Sequence, residues 1–156
     1  MDISRIDGSF SRWDDLLEMI LASFAYMEGR IDPPSSALRL TPANLAEKAA
    51  REIAYVALEG HQILACVFLR PEADCLYIGK LAVAPDVQGR GIGRQLVAVA
   101  EEVARATRLP ALRLETRIEL VENHAAFAAL GFVRTAENAH PGFSRATSVE
   151  MRKAIV

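Results

Sequence analysis

Hydrophobic positions recur at the spacing of an amphipathic helix in the first part of the chain and again in its middle. The first helix is predicted behind Ser11, which can serve as its N-cap, and another behind Thr41, with Pro42 at the first helical position. A fourth helix is predicted to stop at Gly131, a residue suited to a left-handed C-terminal turn. The four predicted helices cover residues 12–26, 42–52, 92–107 and 119–130.

The stretches between these helices change to short apolar runs bounded by turn residues, which is typical of β-strands. Runs on both sides of Gly60 and His61 predict a hairpin. Strands are predicted near residues 3–6, 53–60, 62–70, 75–85, 111–117, 132–137 and 148–155. The order βααβββαβαββ combines hairpins with a strand–helix–strand crossover. We therefore expect an α/β (α+β) fold whose mixed, partly parallel sheet has six to seven strands and about four flanking helices.

Length and composition fit one folded domain. The chain has 156 residues, of which 51% are hydrophobic and 24% charged, so we expect a single domain over residues 1–156. The 18 basic and 20 acidic side chains give a net charge of −2, which offers no general electrostatic attraction for nucleic acid or an anionic membrane. No segment has the pattern of a signal peptide or the ~20 apolar residues that cross a bilayer, so we expect a cytoplasmic protein. Cys66 and Cys75 lie in apolar runs, where buried reduced thiols are expected rather than a disulfide or a metal site.

Charge is unevenly distributed along the sequence. Residues 1–36 carry 3 basic and 7 acidic side chains, although the whole chain is close to neutral. Two interpretations stand at this point: the acidic residues form a solvated helix face, or they lie near a binding site and attract a cation.

A glycine-rich stretch carries the clearest chemistry in the sequence. A buried strand ends, and glycines at 89, 91 and 93 occupy the turn before a helix. Backbone without Cβ atoms can approach a ligand closely, and the free N–H groups of a helix N-terminus attract an anion such as phosphate. Arg90 and Arg94 can add charge-assisted hydrogen bonds to a pyrophosphate.

Known phosphate-binding patterns fit this stretch unequally. A P-loop needs Gly-Lys-Ser/Thr at its end, and Gly93 is followed by Arg94 and Gln95 instead. The Rossmann pattern needs a glycine at 94 and an N-terminal strand–helix–strand unit, neither of which is present. The pattern that remains is Gln88-x-x-Gly91-x-Gly93, and a glycine-rich turn without a ligand is its alternative.

The remaining pattern resembles the acetyl-CoA-binding motif of the GNAT superfamily of N-acetyltransferases, which reads Q/R-x-x-G-x-G/A after a strand. A second region, from Asn123 to Gly131 and Phe132, is similar to that family's later helix, which ends in Leu-Gly-Phe. The predicted order of elements is similar to the family's fold over essentially the whole chain. The resemblance therefore implies an acetyltransferase that uses acetyl-CoA.

The resemblance also implies how acetyl-CoA would be held. Backbone groups of Leu81 and Val83 would hold the pantetheine arm where two neighbouring strands separate, and amides of the glycine loop would bind the pyrophosphate. Asn123 would bond the pantetheine, although it lies eight residues before Gly131, closer than in many members. The implied cofactor-binding residues are Leu81, Ala82, Val83, Gln88, Gly89, Arg90, Gly91, Ile92, Gly93, Arg94, Asn123 and Phe127.

Position 127 departs from the family pattern. Four residues before that glycine, many members carry a tyrosine that protonates the leaving thiolate, whereas this chain has Phe127. Phenylalanine cannot donate a proton, so either the thiolate leaves unprotonated or takes a proton from water, or the protein is catalytically weak. Thiol pKa values near ~8.5 make departure of a thiolate tolerable.

Direct attack by an amine needs a base, because alkyl amines have pKa values near ~10. Several family members place a glutamate at the position of Tyr77, where a tyrosine can at most hold a water. Glu115 on the neighbouring strand, and Glu119 and His124 where the next helix begins, can equally be solvated surface residues. The catalytic candidates are therefore Glu115, Tyr77 and His124.

The first helix and the loop over residues 25–36 cover the acceptor site in the resembled family. The substrate-binding candidates there are Phe24, Tyr26, Met27, Asp32 and Ser35, of which Phe24 and Met27 can also simply complete the core. We therefore expect an N-acetyltransferase that transfers acetyl from acetyl-CoA to a primary amine of a small molecule or peptide. A non-catalytic acyl-CoA sensor and a nucleotide-binding protein are the alternatives. Homodimers are common in the resembled family.

Overall fold

Seven strands form one mixed sheet in the computed structural model, which describes residues 1–155. The strands are β1 (Asp2–Arg5), β2 (Ile53–Glu59), β3 (Gln62–Pro71), β4 (Leu76–Val83), β5 (Ala111–Arg117), β6 (Val133–Asn138) and β7 (Ser148–Ala154). The helices are α1 (Trp13–Phe24), α2 (Pro42–Arg51), α3 (Ile92–Ala106) and α4 (Val121–Ala129). The sheet order is β1-β2-β3-β4-β5-β7-β6, and within this described part only β4 and β5 are parallel neighbours. The predicted mixed fold and its order of elements are confirmed.

Local sequence signals explain the start of α2 but not that of α1. The Thr41 side chain accepts from the backbone N–H of Asn44, and the Asn44 side chain accepts from that of Thr41, as the capping prediction requires. The prediction that Ser11 caps α1 is wrong, because Arg12 takes the cap position and no side chain caps the helix. Two aspartates in the first turn of α1 favour its start through the helix dipole instead. A 3-10 turn over Ala25–Met27 replaces the predicted last residues of this helix.

Buried apolar side chains join the helices to the sheet. Leu16 and Ile20 of α1 and Leu45 of α2 are fully buried in the same core as Phe68 of β3. Leu96 lies on the buried stripe of α3, which packs against β3, β4 and β5. Both cysteines are free and buried, as predicted. No helix between residues 1 and 155 is long and apolar enough to cross a membrane.

Alternation along β5 separates its charged side chains from its buried ones. Every second residue is buried, and Arg113, Glu115 and Arg117 alternate with them on the other face. Because α1 and α2 pack over β2 to β4, the charged face of β5 lies beside these helices rather than beneath them. This arrangement leaves room for a ligand over β5.

The parallel strands β4 and β5 stay paired over only three residues, ending at Ile78 and Leu114. Beyond that point the strands separate. The register of β4 against β3 also shifts there, because Ile78 and Lys80 pair with successive β3 residues and leave Gly79 without a partner. The expected separation of these two strands is therefore present, and it opens a cleft in the middle of the sheet.

Candidate active site

The gap between β4 and β5 widens into a cleft of about 1290 Å³. Its walls come from the end of α1 and the segment that follows it, from β4 and β5, from the glycine loop before α3, from α4, and from the loop between β6 and β7. Small-molecule sites commonly occupy ~300–1,000 Å³. The cleft is therefore large enough for two ligands that meet at the gap between the strands.

The glycine loop forms one end of the cleft and has the geometry of an anion site. Gly89 and Gly91 have φ angles of +85° and +79°, and Gly91 is the N-cap residue of α3 without any side-chain cap. None of the described residues accepts a hydrogen bond from the backbone N–H groups of Ile92, Gly93 and Arg94. Unpaired N–H groups at the positive end of a 15-residue helix can bind a phosphate without rearrangement.

Most of the residues assigned to the cofactor from the sequence line this cleft. They are Leu81, Val83, Gln88, Gly89, Gly91, Ile92, Gly93, Arg94, Asn123 and Phe127. Ala82 does not, because it alternates with its neighbours along β4 and is buried in the core. The Arg90 side chain does not line it either, because its guanidinium lies 3.1 Å from the Glu59 carboxylate.

Three of these residues, Val83, Gln88 and Asn123, make hydrogen bonds within the protein. The Val83 N–H donates to Ser23 Oγ at 3.2 Å, and the Val83 carbonyl accepts from Gln88 Nε2 at the same distance. Asn123 Nδ2 donates to the hydroxyl of Tyr26 at 3.0 Å, which links α4 to the segment after α1. The segment after α1 and the start of α4 are therefore joined along one wall of the cleft.

Four of the five predicted substrate-binding residues line the other end of the cleft, namely Phe24, Tyr26, Met27 and Ser35. The fifth, Asp32, is exposed and pairs with Arg145 at 3.0 Å instead. Arg117 holds this segment over β5 by donating to the carbonyl oxygens of Pro33 and Pro34 at 2.6 and 3.1 Å.

The charge at this end differs from the expectation drawn from the acidic segment 1–36. Asp15 and Glu18 lie in a shallow groove beside His61, away from the cleft. The residues that line the cleft include the cations Arg39 and Lys80 as well as the carboxylates Glu115 and Glu122. Burial lowers the pKa of Lys80, and the charge of Lys48 lowers it further.

The three predicted catalytic residues differ in what they can do. Tyr77 lies between the guanidinium groups of Arg70 and Arg113, 4.8 and 4.3 Å from its ring centre, and burial raises its pKa, so it stays a neutral phenol. His124 does not line the cleft, because its Nε2 contacts the Arg117 carbonyl oxygen at 2.9 Å.

Glu115 does line the cleft, but its carboxylate already has three donors. Its Oε1 accepts from Asn138 Nδ2 and Ser148 Oγ, each at 3.0 Å, and its Oε2 accepts from Arg113 Nη1 at 3.4 Å. The Glu115 side chain is therefore held in place by β5, β7 and the end of β6.

Arg113 fixes the floor beneath these groups. Its guanidinium makes two bonds of 2.9 and 3.0 Å to the carboxylate of Glu72, and only 13% of its side chain is exposed. The Arg113 bond lowers the pKa of Glu72 to about 2. The Cys75 thiol donates to the same carboxylate at 3.2 Å, and burial raises the Cys75 pKa to about 11. Cys75 is therefore an unreactive structural thiol.

Sequence reasoning missed several titratable residues of the cleft, namely Arg39, Lys80, Arg117, Glu122 and His140. His140 belongs to the loop between β6 and β7. It lies in no motif, and no periodic pattern surrounds it. With only 3 histidines in the chain, a search by residue type alone would have included it.

Comparison with known proteins identifies the family of the chain. The model of the acetyltransferase (GNAT) family matches residues 13–132, which include the glycine loop and the helix that carries Asn123. The chain belongs to the GNAT family. The resemblance drawn from the glycine motif is thereby confirmed, and no curated protein sequence matches the chain.

Solved structures of GNAT proteins share the fold at low sequence identity. The PaiA N-acetyltransferase of Thermoplasma acidophilum with coenzyme A has a TM-score of 0.81 at 15% identity, covering 99% of both chains. A GNAT acetyltransferase of Elizabethkingia anophelis with acetyl-CoA has a TM-score of 0.69 at 17% identity, covering 98% of this chain and 97% of that one. The ribosomal-protein-S18-alanine N-acetyltransferase of Escherichia coli has a TM-score of 0.72 at 18% identity, covering 99% and 93%.

Proposed function

We propose that this GNAT protein transfers an acetyl group from acetyl-CoA to a primary amine of a small molecule or peptide, by direct attack within a ternary complex. The observation that carries the proposal is a single cleft with an unsatisfied helix N-terminus at one end and a separate, polar end on the far side of the strand gap. The neighbouring structures that hold coenzyme A and acetyl-CoA support the choice of cofactor.

The residues present fit acetyl-CoA. The N–H groups of the glycine loop would bind the pyrophosphate with the Arg94 guanidinium beside them, and an added Cβ at Gly89 or Gly91 would meet no protein atom within 4 Å, so that space is open to a ligand. The separated edges of β4 and β5 offer backbone groups, among them those of Leu81, to the pantetheine arm. Acetyl-CoA would supply the electrophilic thioester carbon.

The reaction must also release the thiolate of coenzyme A without a tyrosine on α4 to protonate it. Phe127 packs edge-on against Phe132, 5.8 Å between ring centres, and offers no proton. Since a thiol has a pKa near ~8.5, the sulfur can leave as a thiolate and take its proton from water. Asn123, one helical turn before Phe127, donates to the Tyr26 hydroxyl, which places a phenol beside α4.

A thiol-release assay with acetyl-CoA and a panel of primary amines tests the proposal. Release of coenzyme A that depends on the amine is the expected result, with the acetylated amine identified by mass. Binding of acetyl-CoA without turnover for any amine would favour a non-catalytic acyl-CoA sensor, which Phe127 and the fully engaged Glu115 keep as the second candidate.

Thermal unfolding separates both of these from nucleotide binding. Coenzyme A is expected to raise the melting temperature, because a ligand that binds only the folded state stabilises it. Stabilisation of equal size by ATP or NAD would show that the glycine loop recognises nucleotides in general.

A further inference from the structure

His140 is the histidine of the cleft, and the buried Thr147 fixes its ring. The His140 backbone N–H donates to Thr147 Oγ1 at 2.8 Å, and His140 Nδ1 lies 2.5 Å from the same oxygen. Thr147 is 0% exposed, and its Oγ1 also lies 3.4 Å from the carbonyl oxygen of Asn138. One hydroxyl group therefore contacts two donors or acceptors of His140 and one carbonyl.

The hydrogen bonds of Thr147 can be arranged in two ways, one for each neutral tautomer of this ring. A hydroxyl has one hydrogen to donate and two lone pairs to accept with. If the hydrogen points to the Asn138 carbonyl, the lone pairs accept from the His140 backbone N–H and from Nδ1–H, and every part of the buried hydroxyl is used. In the opposite tautomer Thr147 donates its hydrogen to Nδ1, gives up the 3.4 Å contact with the Asn138 carbonyl and leaves one lone pair empty. The first arrangement leaves Nε2 of His140 as an unprotonated acceptor at the cleft.

We infer that His140 is the catalytic base of the reaction, taking a proton from the acceptor amine through Nε2, with Thr147 as its positioning residue. The inference rests on the proposed acetyl transfer. The acceptor ammonium gives one proton to Nε2, which later passes to solvent. Its nitrogen then bonds the acetyl carbon while the carbon–sulfur bond breaks and sulfur keeps the electron pair. The second proton of the nitrogen finally reaches the thiolate, giving the amide and free coenzyme A.

The charges around His140 suit this role. Burial lowers the pKa of His140, and the charge of Arg117 on β5 lowers it further, against the opposing effect of Glu115 and Glu119. On its own loop, Arg145 is already paired with Asp32. The lowered pKa favours the neutral ring, which is the form that can accept a proton.

The other titratable candidates of the cleft are already held by charged or polar partners. Tyr77 is a neutral phenol between two guanidinium groups, and the Glu115 carboxylate has three donors. Glu122 is exposed and pairs with Arg30 at 2.6 Å. His140 is thus the group whose geometry and charge both fit a base.

A first experiment needs no substrate. In protein with ¹⁵N-labelled histidine, the 3 histidines are assigned by single His→Gln variants, and the ring nitrogens are followed by NMR from about pH 5 to pH 8. At about pH 7.5 we expect His140 to be neutral, with its hydrogen on Nδ1. A hydrogen on Nε2, or a ring that is still protonated, would overturn the inference.

A second experiment measures turnover once an amine acceptor is known. His140→Gln is expected to lower kcat/KM by about 10²–10⁴-fold and to remove the acid limb of its pH profile, while coenzyme A affinity stays unchanged. Imidazole in solution is expected to restore part of the rate of His140→Ala. His61→Gln, at an exposed histidine outside the cleft, is the matched control and should keep the wild-type rate.

Thr147 supplies an independent check on positioning. Thr147→Ser keeps the hydroxyl and is expected to keep the pH profile, whereas the similarly sized Thr147→Val should lower kcat with a smaller effect on the acceptor KM. A His140→Gln enzyme with the wild-type rate and pH profile would overturn the role of His140 and leave the proposed function intact. Absence of turnover with every amine in the wild-type protein would overturn both.

Discussion

Replacing Gly91 by alanine tests the anion site at the start of α3, and the same replacement at Gly60 is its control. Gly91 has a φ of +79° and lines the cleft, whereas Gly60 has a φ of +60° at the tip of the β2–β3 hairpin, outside it. A Cβ built at either position meets no protein atom within 4 Å. Neither substitution therefore creates a clash, and both place alanine in the left-handed region.

The expected cost to stability is the same for the two variants. A left-handed conformation costs a residue with a Cβ roughly 1–2 kcal/mol relative to glycine. For a chain of this size, 1 kcal/mol corresponds to about 2–4 °C in melting temperature, so each variant should melt about 2–8 °C below the wild type.

The effect on ligand binding is expected to differ. The new Cβ at Gly91 occupies space from which a phosphate must approach the N–H groups of the loop, so we expect coenzyme A affinity to fall at least tenfold, or about 1.4 kcal/mol. Gly60→Ala should bind like the wild type.

Calorimetry with coenzyme A and urea unfolding, both on all three proteins, separate the two effects. Equal affinity of Gly91→Ala and the wild type would refute the assignment of the loop to the phosphates. Equal loss in both variants would show that the affinity follows global stability rather than local access.

Two further substitutions probe the leaving group and the floor of the cleft. Phe127→Tyr is expected to change kcat by less than about threefold in a steady-state assay, because a thiolate can leave without a proton donor and the Tyr26 hydroxyl already contacts Asn123. A hundredfold loss of kcat would mean that the Phe127 ring packs against substrate. Glu72→Gln should cost about 2 kcal/mol in urea unfolding near pH 7, below the value for a fully buried pair because 27% of Glu72 is exposed. Because the folded-state pKa of Glu72 lies at about 2, below its usual 4.5, the wild type gains this stability above about pH 4.5 and loses it as the pH falls toward 2. The variant should lack that pH dependence, and the exposed Glu102→Gln should retain it.

Much of the fold could be predicted because local signals agreed with the global arrangement. The reciprocal bonds of Thr41 and Asn44, the left-handed glycines at 60 and 131, and the alternation of β5 each follow from the chemistry of a few neighbouring residues. The cap of α1 could not be predicted in this way. Ser11 has the right chemistry, but the path of the chain gives the cap position to Arg12.

The parts of the site that depend on backbone geometry could be predicted from the sequence. The contacts between side chains of distant elements could not. The type and order of its residues predict the glycine loop and its position at the start of α3. The Arg90 side chain faces Glu59, which is 31 residues away, and the His124 ring faces the Arg117 carbonyl. Such choices depend on distances between elements, which no motif contains. His140 could not be singled out for the same reason, because its partner Thr147 lies seven residues further along the chain and contacts it only in the folded β6–β7 loop.

The net charge of residues 1–36 does not predict the charge that lines the cleft. Residues 1–36 are acidic, but α1 buries Leu16 and Ile20 and therefore turns Asp15 and Glu18 outward to the opposite groove. The residue that the same segment does bring near the cleft, Asp32, is neutralised by Arg145. The cleft is instead lined by charges of both signs from other segments, namely Arg39, Lys80 and Arg117 and the carboxylates Glu115 and Glu122. The acidity of residues 1–36 therefore does not extend to the lining of the cleft, because the burial of one face of α1 decides where its carboxylates lie.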